Sequence, residues 1–175
     1  MVNDKRDSLP ILTTHSLVLR KLTQNDAEAI YRIRSDKKVA EFLVRPICKS
    51  IDEAKEFIQK INDGYEKNEI CYWAITEKGK NELIGTICLW KIFRDKMKAE
   101  IGFELSPAYQ GKGIMKEAIP PVIDFAFNEL ELKTIEGEVA KENQRSIRIM
   151  EKNGFKISKL YAENKDTIMY ELVKG

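Results

Sequence analysis

A glycine-rich segment at residues 110–115 has the composition of a phosphate-binding turn. Residues 99–105 before it alternate apolar and polar side chains as a strand does, and the residues after it show helical periodicity. A turn between strand and helix leaves the first N–H groups of the helix without partners, and the helix dipole is positive there. These donors suit a phosphate or pyrophosphate. Gly111 and Gly113 let the backbone approach such a ligand because neither carries a Cβ atom.

Two common phosphate-binding designs are excluded by the residues around the two glycines. No Gly-Lys-Ser/Thr sequence follows at the spacing of a P-loop. Lys116 stands where the dinucleotide-binding fingerprint needs its third glycine. Glycines that serve only to turn the chain remain the alternative at this point.

The composition narrows the class of protein further. With 175 residues and a formal net charge of +2, the chain suits one domain and offers no basic block for nucleic acid. No apolar stretch is long enough to span a bilayer and the first residues lack a signal-peptide core, so we expect no membrane partner and a cytoplasmic location. A single histidine, His15, and three widely spaced cysteines predict no metal site.

The order of the predicted elements is strand, two or three helices, three antiparallel strands, helix, strand, helix and two strands. This order predicts a mixed α/β fold with one central sheet. The strands are expected at residues 17–22, 70–76, 83–93, 98–105, 134–139, 155–160 and 167–173, and the helices at 23–34, 38–43, from 51, from 114 and at 143–152. Pro120 and Pro121 fall inside the helix after the glycine segment, where we expect a kink.

Two segments together resemble the GNAT superfamily of acetyl-CoA-dependent N-acetyltransferases. The first comprises residues 100–103 with the loop at 107–113, and the second comprises 143–146 with 151–155. The similarity extends over nearly the whole chain, with the core at about residues 10–174, and is closest to the RimJ/RimL type, which acetylates protein N-termini. It implies a mostly antiparallel sheet with helices on both faces and a splayed strand pair that forms the acetyl-CoA slot.

The resemblance also assigns binding residues for the co-substrate, acetyl-CoA or coenzyme A. Residues of the glycine segment match the pyrophosphate loop, residues of the preceding strand match the one that pairs with the pantetheine arm, and an asparagine matches a further pantetheine contact. These residues are Gln110, Gly111, Lys112, Gly113, Ile114 and Met115 in the loop, Phe103 and Leu105 in the strand, and Asn143. For Asn143 the alternative is a simple helix cap, and for Lys112 a solvated loop lysine.

Acetyl transfer to an amine needs a base for the ammonium proton, and a hydrogen bond stabilises the departing thiolate. Family members place a carboxylate on the strand before the loop, and Glu100 stands there. Glu138 is the rival, and an ion pair with a lysine such as Lys98 is the structural alternative for Glu100. Many members carry a tyrosine as the acid where this chain has Met150, which has no proton to give. Ser146 lies one turn earlier on the same face, and the resemblance implies a serine there in the RimJ/RimL type. Ser146 is therefore the candidate for the thiolate, and a hydrogen bond to the helix cap is its alternative.

The expected function is transfer of acetyl to a protein N-terminal α-amine, as a monomer or homodimer. The first alternative is a small amine such as a polyamine, an aminoglycoside or an amino acid. The second is a coenzyme-A-binding module without catalysis. The acceptor depends on the loops at residues 38–50, 91–98 and 160–166, which carry no transferable code.

Overall fold

The computed structural model describes residues 8–43, 45–159 and 165–175, and its centre is one mixed sheet. The strands of the described residues are β1 (Leu12–Thr13), β2 (Leu17–Lys21), β3 (Cys71–Glu77), β4 (Leu83–Phe93), β5 (Lys98–Leu105), β6 (Thr134–Ala140), β7 (Lys156–Ile157) and β8 (Thr167–Val173). They lie side by side in the order β1-β2-β3-β4-β5-β6-β8-β7. The mixed, mostly antiparallel sheet predicted from the sequence is confirmed.

Among the described strands, β5 and β6 form the one parallel pair. A parallel connection needs a crossover, and here the chain crosses through the helix that follows the glycine segment. The pairing ends where Glu100 lies opposite Glu136, and residues 101–105 of β5 have no strand partner on that side. The two strands therefore splay apart beyond Glu100, as the resemblance implied.

The helices cover both faces of the sheet. They are α1 (Ala27–Ser35), α2 (Lys37–Ala40), α3 (Ile51–Glu66), α4 (Ile114–Asp124) and α5 (Gln144–Lys152). The first three bury their apolar stripes, including Ile30 and Ile58, against one face. On the other face α4 contributes Ile119 and Val122, and α5 contributes Met150, to a second apolar core.

Two elements are much shorter than predicted, and one short strand was not predicted. The helix expected over 38–43 is the single turn α2, because of its residues only Val39 is buried to anchor it. Of the strand expected over 155–160, only β7 forms, at the sheet edge where Ile157 is exposed, and Leu160 lies outside the described residues. β1 was not predicted, because two residues are too few to show an alternating pattern.

Pro120 and Pro121 both lie inside α4, which begins before them at Ile114. Each proline removes one backbone donor, so the helix loses two internal hydrogen bonds. The helix nevertheless continues to Asp124 and passes into a π-helical turn at Phe125–Glu129. The apolar stripe that runs through the two prolines is what holds this segment helical against the sheet. None of the described helices is long and apolar enough to cross a bilayer.

Glu117, in the first turn of α4, ties this helix to the loop between β1 and β2. Its carboxylate accepts hydrogen bonds from the N–H and the hydroxyl of Ser16, both at 2.6 Å, and from the hydroxyl of Thr14. Partial burial opposes ionisation of this carboxyl, but the hydrogen bonds from Ser16 and Thr14 outweigh it and lower the pKa of Glu117 to about 2. The helix next to the glycine segment is thereby fixed to the sheet near its N-terminal end.

We expect Glu117→Gln to lower the free energy of unfolding at pH 7 by about 1–2 kcal/mol. Hydrogen bonds to a charged group contribute about 1.5–3 kcal/mol, and solvent screening reduces this contribution because the Glu117 carboxylate is only half-buried. The pKa of Glu117 is lower in the folded state than its ordinary value of 4.5. Its contribution is therefore complete above that value and is lost as the pH falls toward 2. Urea unfolding between pH 7 and pH 2 should show the difference between wild type and variant shrinking.

The matched control for this experiment is Glu28→Gln, at an exposed carboxylate on α1. It should change the stability by less than about 0.5 kcal/mol, as exposed ion pairs contribute little. A difference between wild type and Glu117→Gln that stays constant over the whole pH range would contradict the role given to the Glu117 carboxylate.

Candidate active site

The splay between β5 and β6 opens into a cavity of about 1060 Å³. One part of its lining comes from β5, a second from the glycine segment with the start of α4, and a third from α5. Residues 38, 39 and 41–43, which follow α1, line it as well. Because α1 to α3 lie on one face of the sheet and α4 and α5 on the other, the cavity reaches both faces through the splay.

The glycine segment offers unpaired backbone donors to this cavity. Gly111 and Gly113 have φ angles of +75° and +79°, a conformation that side chains with a Cβ rarely adopt. Gly113 is the N-cap of α4 and supplies no side-chain oxygen to its first turn. In the described part of the chain, the N–H groups of Ile114, Met115 and Lys116 have no acceptor. The Met115 side chain is buried in the core, so it leaves these donors open.

Two polar residues of the glycine segment take different positions. Gln110 lines the cavity and bridges two elements, since its Nε2 donates to the Leu105 carbonyl at 3.0 Å and its Oε1 accepts from Arg145. Lys112 lies outside the cavity lining, and its Nζ is 5.3 Å from the centre of the Tyr109 ring. The Gln110 side chain thus holds the loop to β5 and α5, while the position of Lys112 fits a solvated lysine.

A row of cations at the cavity was missed by the sequence analysis. Arg145, Arg148 and Lys152 line the cavity from one side of α5, and Lys116 lines it from α4. All four side chains are exposed. Arg145, Arg148 and Lys152 are three and four residues apart, a spacing that places them on one face of α5 and that could have been recognised in the sequence. Together they give this end of the cavity the charge that a polyphosphate requires.

The predicted pantetheine contacts also lie at the cavity. Phe103 and Leu105 line it from the part of β5 that has no strand partner on the β6 side. Asn143 lines it as well, and its Oδ1 accepts the N–H of Ser146 at 3.1 Å as the cap of α5. The capping role of Asn143 is therefore observed, and its amide NH₂ group makes no hydrogen bond within the described residues.

Ser146 is half-buried and lines the cavity with its hydroxyl available. Its backbone N–H bonds to the cap, whereas its Oγ has no partner in the part of the chain described by the structure. Met150, one turn later, is buried beneath the cavity lining. A Cβ atom at Gly137 of β6 would collide with the Met150 side chain, which shows how closely Met150 packs on that strand. The α5 residue that can offer a proton or hydrogen bond here is thus Ser146 rather than Met150.

The two candidate bases lie beside the splay rather than in the cavity lining. Glu100 is buried at the last paired position of β5, and its Oε2 lies 3.1 Å from Lys91 Nζ on β4. Lys98, the partner considered from the sequence, instead pairs with Glu136 at 2.9 Å. Glu138 is half-buried and accepts a hydrogen bond from the Thr167 hydroxyl at 2.5 Å. A proton path from the cavity to Glu100 therefore requires a bridging water.

Glu104 is the β5 carboxylate that lines the cavity, and two guanidinium groups surround it. Its Oε1 accepts from Arg45 Nε at 2.5 Å and lies 3.8 Å from Arg34 Nη1. The Arg34 guanidinium in turn lies 3.9 Å from the centre of the Phe57 ring. Burial, and then the charge of Glu104, raises the pKa of the neighbouring Cys88 thiol to about 12, which keeps this thiol neutral at pH 7.

The cavity brings together the unpaired edge of β5, exposed cations on α5 and α4, unpaired N–H groups at the start of α4 and the Ser146 hydroxyl. In the part of the chain that is described, no three His, Cys, Asp or Glu side chains are arranged to hold a metal ion. The arrangement is that of a transferase that binds a phosphate-bearing acyl carrier along β5. The acetyltransferase (GNAT) domain family matches residues 16–156, and the chain belongs to this family. It is an acyltransferase that uses acetyl-CoA, as the resemblance implied.

Similar proteins agree on the reaction and differ in the acceptor. The chain is 33% identical over 172 residues to the uncharacterized N-acetyltransferase YoaA of Bacillus subtilis, covering 94% of this chain and 97% of that protein. It is 29% identical over 140 residues to the spermidine N(1)-acetyltransferase of Vibrio cholerae, covering 79% and 78%. The solved structure of a candidate ribosomal-protein-serine acetyltransferase from Vibrio cholerae aligns with a TM-score of 0.79 and 26% identity, covering 94% and 98%. The expected likeness to the RimJ/RimL type is confirmed.

Proposed function

We propose that residues 1–175 act as one N-acetyltransferase domain, monomeric or homodimeric, that transfers acetyl from acetyl-CoA directly to a protein N-terminal α-amine. The observation that carries this proposal is the cavity that reaches both faces of the sheet through the β5–β6 splay. The donor then binds from the α4–α5 face, and the amine enters from the face of α1 to α3. The two reactants meet where the strands separate.

The donor half of the cavity suits coenzyme A along its whole length. The N–H groups of Ile114 to Lys116 donate hydrogen bonds to the pyrophosphate at the start of α4. The exposed cations Arg145, Arg148 and Lys152 offset the charge of the remaining phosphate. The unpaired edge of β5 at residues 101–105 hydrogen-bonds the pantetheine amides as a neighbouring strand would.

The chain's own residues supply a base for the amine, a hydrogen-bond donor for the oxyanion and a hydrogen-bond donor for the departing thiolate. Glu100 receives the ammonium proton through water, and its ion pair with Lys91 keeps the carboxylate in place. A backbone N–H on the unpaired edge of β5 donates to the oxyanion as the amine attacks the thioester carbon. The nitrogen of the tetrahedral adduct loses its second proton to water and the carbon–sulfur bond breaks. The Ser146 hydroxyl donates a hydrogen bond to the departing thiolate, which takes a proton from solvent.

The charges at the acceptor end favour a peptide N-terminus over a polyamine. Glu104, which lines this end, is already paired with Arg45 and lies close to Arg34. Lys38 lines the same end and adds a further positive charge, offset by the exposed Glu41. A polycation would meet net positive charge at this end, whereas a peptide presents one ammonium followed by neutral amides.

A thiol-release assay with an amine panel tests the proposal. With acetyl-CoA as donor, we expect kcat/KM for short peptides with a free N-terminus to exceed that for spermidine by about tenfold or more, a difference of roughly 1.4 kcal/mol in transition-state binding. The matched control is the same peptide with a blocked N-terminus and an internal lysine, which should be inert. Mass spectrometry of N-terminal acetylation in cells with and without the protein then identifies the acceptor.

Two other results would replace this proposal. Preference for spermidine would assign the chain to the polyamine acceptors, a second function that the similarity to spermidine N(1)-acetyltransferase favours. Tight coenzyme A binding without thiol release toward any amine would indicate a binding module, for which Met150 at the tyrosine position is the sequence argument.

A further inference from the structure

One guanidinium group ties three separate parts of the chain together at the acceptor end of the cavity. Arg45 Nε donates to Glu104 Oε1 on β5 at 2.5 Å. Its Nη1 donates to the carbonyl of Arg34 on α1 at 3.0 Å and to that of Pro46 at 3.2 Å. The Arg34 carbonyl also accepts the N–H of Cys48 at 3.1 Å. Arg45 therefore joins the sheet to α1 and to the segment that follows α2.

Most of residues 38–43, a few positions before Arg45, form part of the cavity lining. We call residues 38–43 the acceptor wall, since five of the six line the cavity. At the N-terminal end of the acceptor wall, the Asp36 carboxylate caps α2 by accepting hydrogen bonds from the N–H groups of Lys38 and Val39 at 2.8 and 3.0 Å. The Val39 side chain is buried. A helix of one turn is not stable by itself. The position of the acceptor wall therefore depends on Arg45 at its other end.

We call the ion pair of Arg45 and Glu104 the latch. Its geometry leaves polar atoms without hydrogen bonds and is therefore not the one that would stabilise the fold most. The two side chains are only 13% and 11% exposed. Within the described residues, Arg45 Nη2 and Glu104 Oε2 are buried and have no hydrogen-bond partner. Unpaired polar atoms of this kind are costly, and buried ion pairs are often no more stable than apolar residues of the same volume. The geometry that the latch imposes on the acceptor wall explains its presence better than stability does.

We propose that Arg45 is a positioning residue that fixes the acceptor wall relative to β5 and thereby sets the affinity for the acceptor. This inference rests on the proposed acetyl transfer, because it assigns the wall to the acceptor rather than to the donor. The planar guanidinium reaches Glu104 through Nε while Nη1 serves two carbonyls. A lysine ammonium lacks this fixed fork, so the charge alone does not replace Arg45.

Steady-state kinetics of Arg45→Gln, Arg45→Lys and Glu104→Gln test the latch. We expect each variant to raise the KM for the acceptor peptide about tenfold, with kcat and the KM for acetyl-CoA changed by less than about twofold. The double variant of Arg45→Gln with Glu104→Gln should be no worse than Arg45→Gln alone, because Arg45→Gln has already removed the contact with Glu104. Arg32→Gln is the matched control, since Arg32 is exposed on α1 and outside the latch.

Hydrogen–deuterium exchange provides a readout that does not depend on activity. In Arg45→Lys, which keeps the charge and guards against misfolding, the amides of residues 38–43 should exchange faster than in the wild type, while those of β4 stay unchanged. Wild-type kinetics for Arg45→Lys, unaltered exchange in the wall, or a parallel change in kcat and both KM values would overturn the inference. An inactive wild type would instead count against the transferase proposal, and the exchange experiment would still decide the latch.

Discussion

Replacement of Ser146 by alanine should lower kcat at least about tenfold and leave the KM for acetyl-CoA within about twofold, the signature of an interaction made only in the transition state. Ser146 lines the cavity and its hydroxyl has no partner in the described residues, so its hydrogen bond is available to the thiolate that forms as the thioester breaks. Hydrogen bonds to charged groups are worth about 1.5–3 kcal/mol, which corresponds to roughly a tenfold to hundredfold change in rate.

The same substitution should leave the fold intact. The start of α5 is held by the Asn143 cap, which binds the Ser146 backbone rather than its side chain. Ser35→Ala is a suitable control, because Ser35 is a helical serine outside the cavity lining whose hydroxyl donates to the Arg32 carbonyl of its own helix. Equal losses in kcat and coenzyme binding for Ser146→Ala, or no loss at all, would contradict the role of Ser146.

Local sequence patterns were sufficient to predict most of the fold, because most elements of this chain have a clear apolar periodicity and are bounded by capping or turn residues. β5 and β8 have the predicted bounds, and α5 begins after its Asn143 cap and ends before Gly154, whose φ is +84°. The failures are the elements with little periodicity. α2 and β7 are short because few of their residues are buried, and burial is a property of the tertiary structure rather than of a local pattern.

The candidate site was only partly predictable for the same reason. The glycine segment and Ser146 stand in motifs, and the structure places them at one cavity. The partners of the carboxylates come from distant parts of the chain, and no local pattern signals them. Glu100 lies beside Lys91 rather than Lys98, and Glu104 beside Arg45, because strand register and the path of the segment after α2 decide these contacts.

Glu100→Gln should lower kcat/KM toward an N-terminal amine about tenfold near pH 7, because the variant acts only on the roughly one tenth of the α-amine that is already unprotonated. Glu100 lies where the pairing of β5 and β6 ends, which is the point in the sheet closest to the start of the slot. Glutamine keeps the volume of this buried side chain but cannot accept the proton. The loss should therefore fall on proton removal rather than on packing, and circular dichroism and thermal unfolding should remain close to those of the wild type.

The pH dependence separates Glu100 from its alternatives. An N-terminal α-amine has a pKa of about 7.7–8.0, so only about a tenth of it is unprotonated at pH 7. The variant can use only that free amine. Its rate should rise about tenfold per pH unit below pH 8 and approach the wild-type rate above it.

Glu138→Gln, at the rival carboxylate bonded to Thr167, is the matched control and should keep the wild-type profile. If Glu100→Gln instead runs parallel to the wild type, the proton passes to Glu138 or to bulk water. Glu138→Gln then distinguishes these two, since only loss of a true base makes the rate follow the free amine.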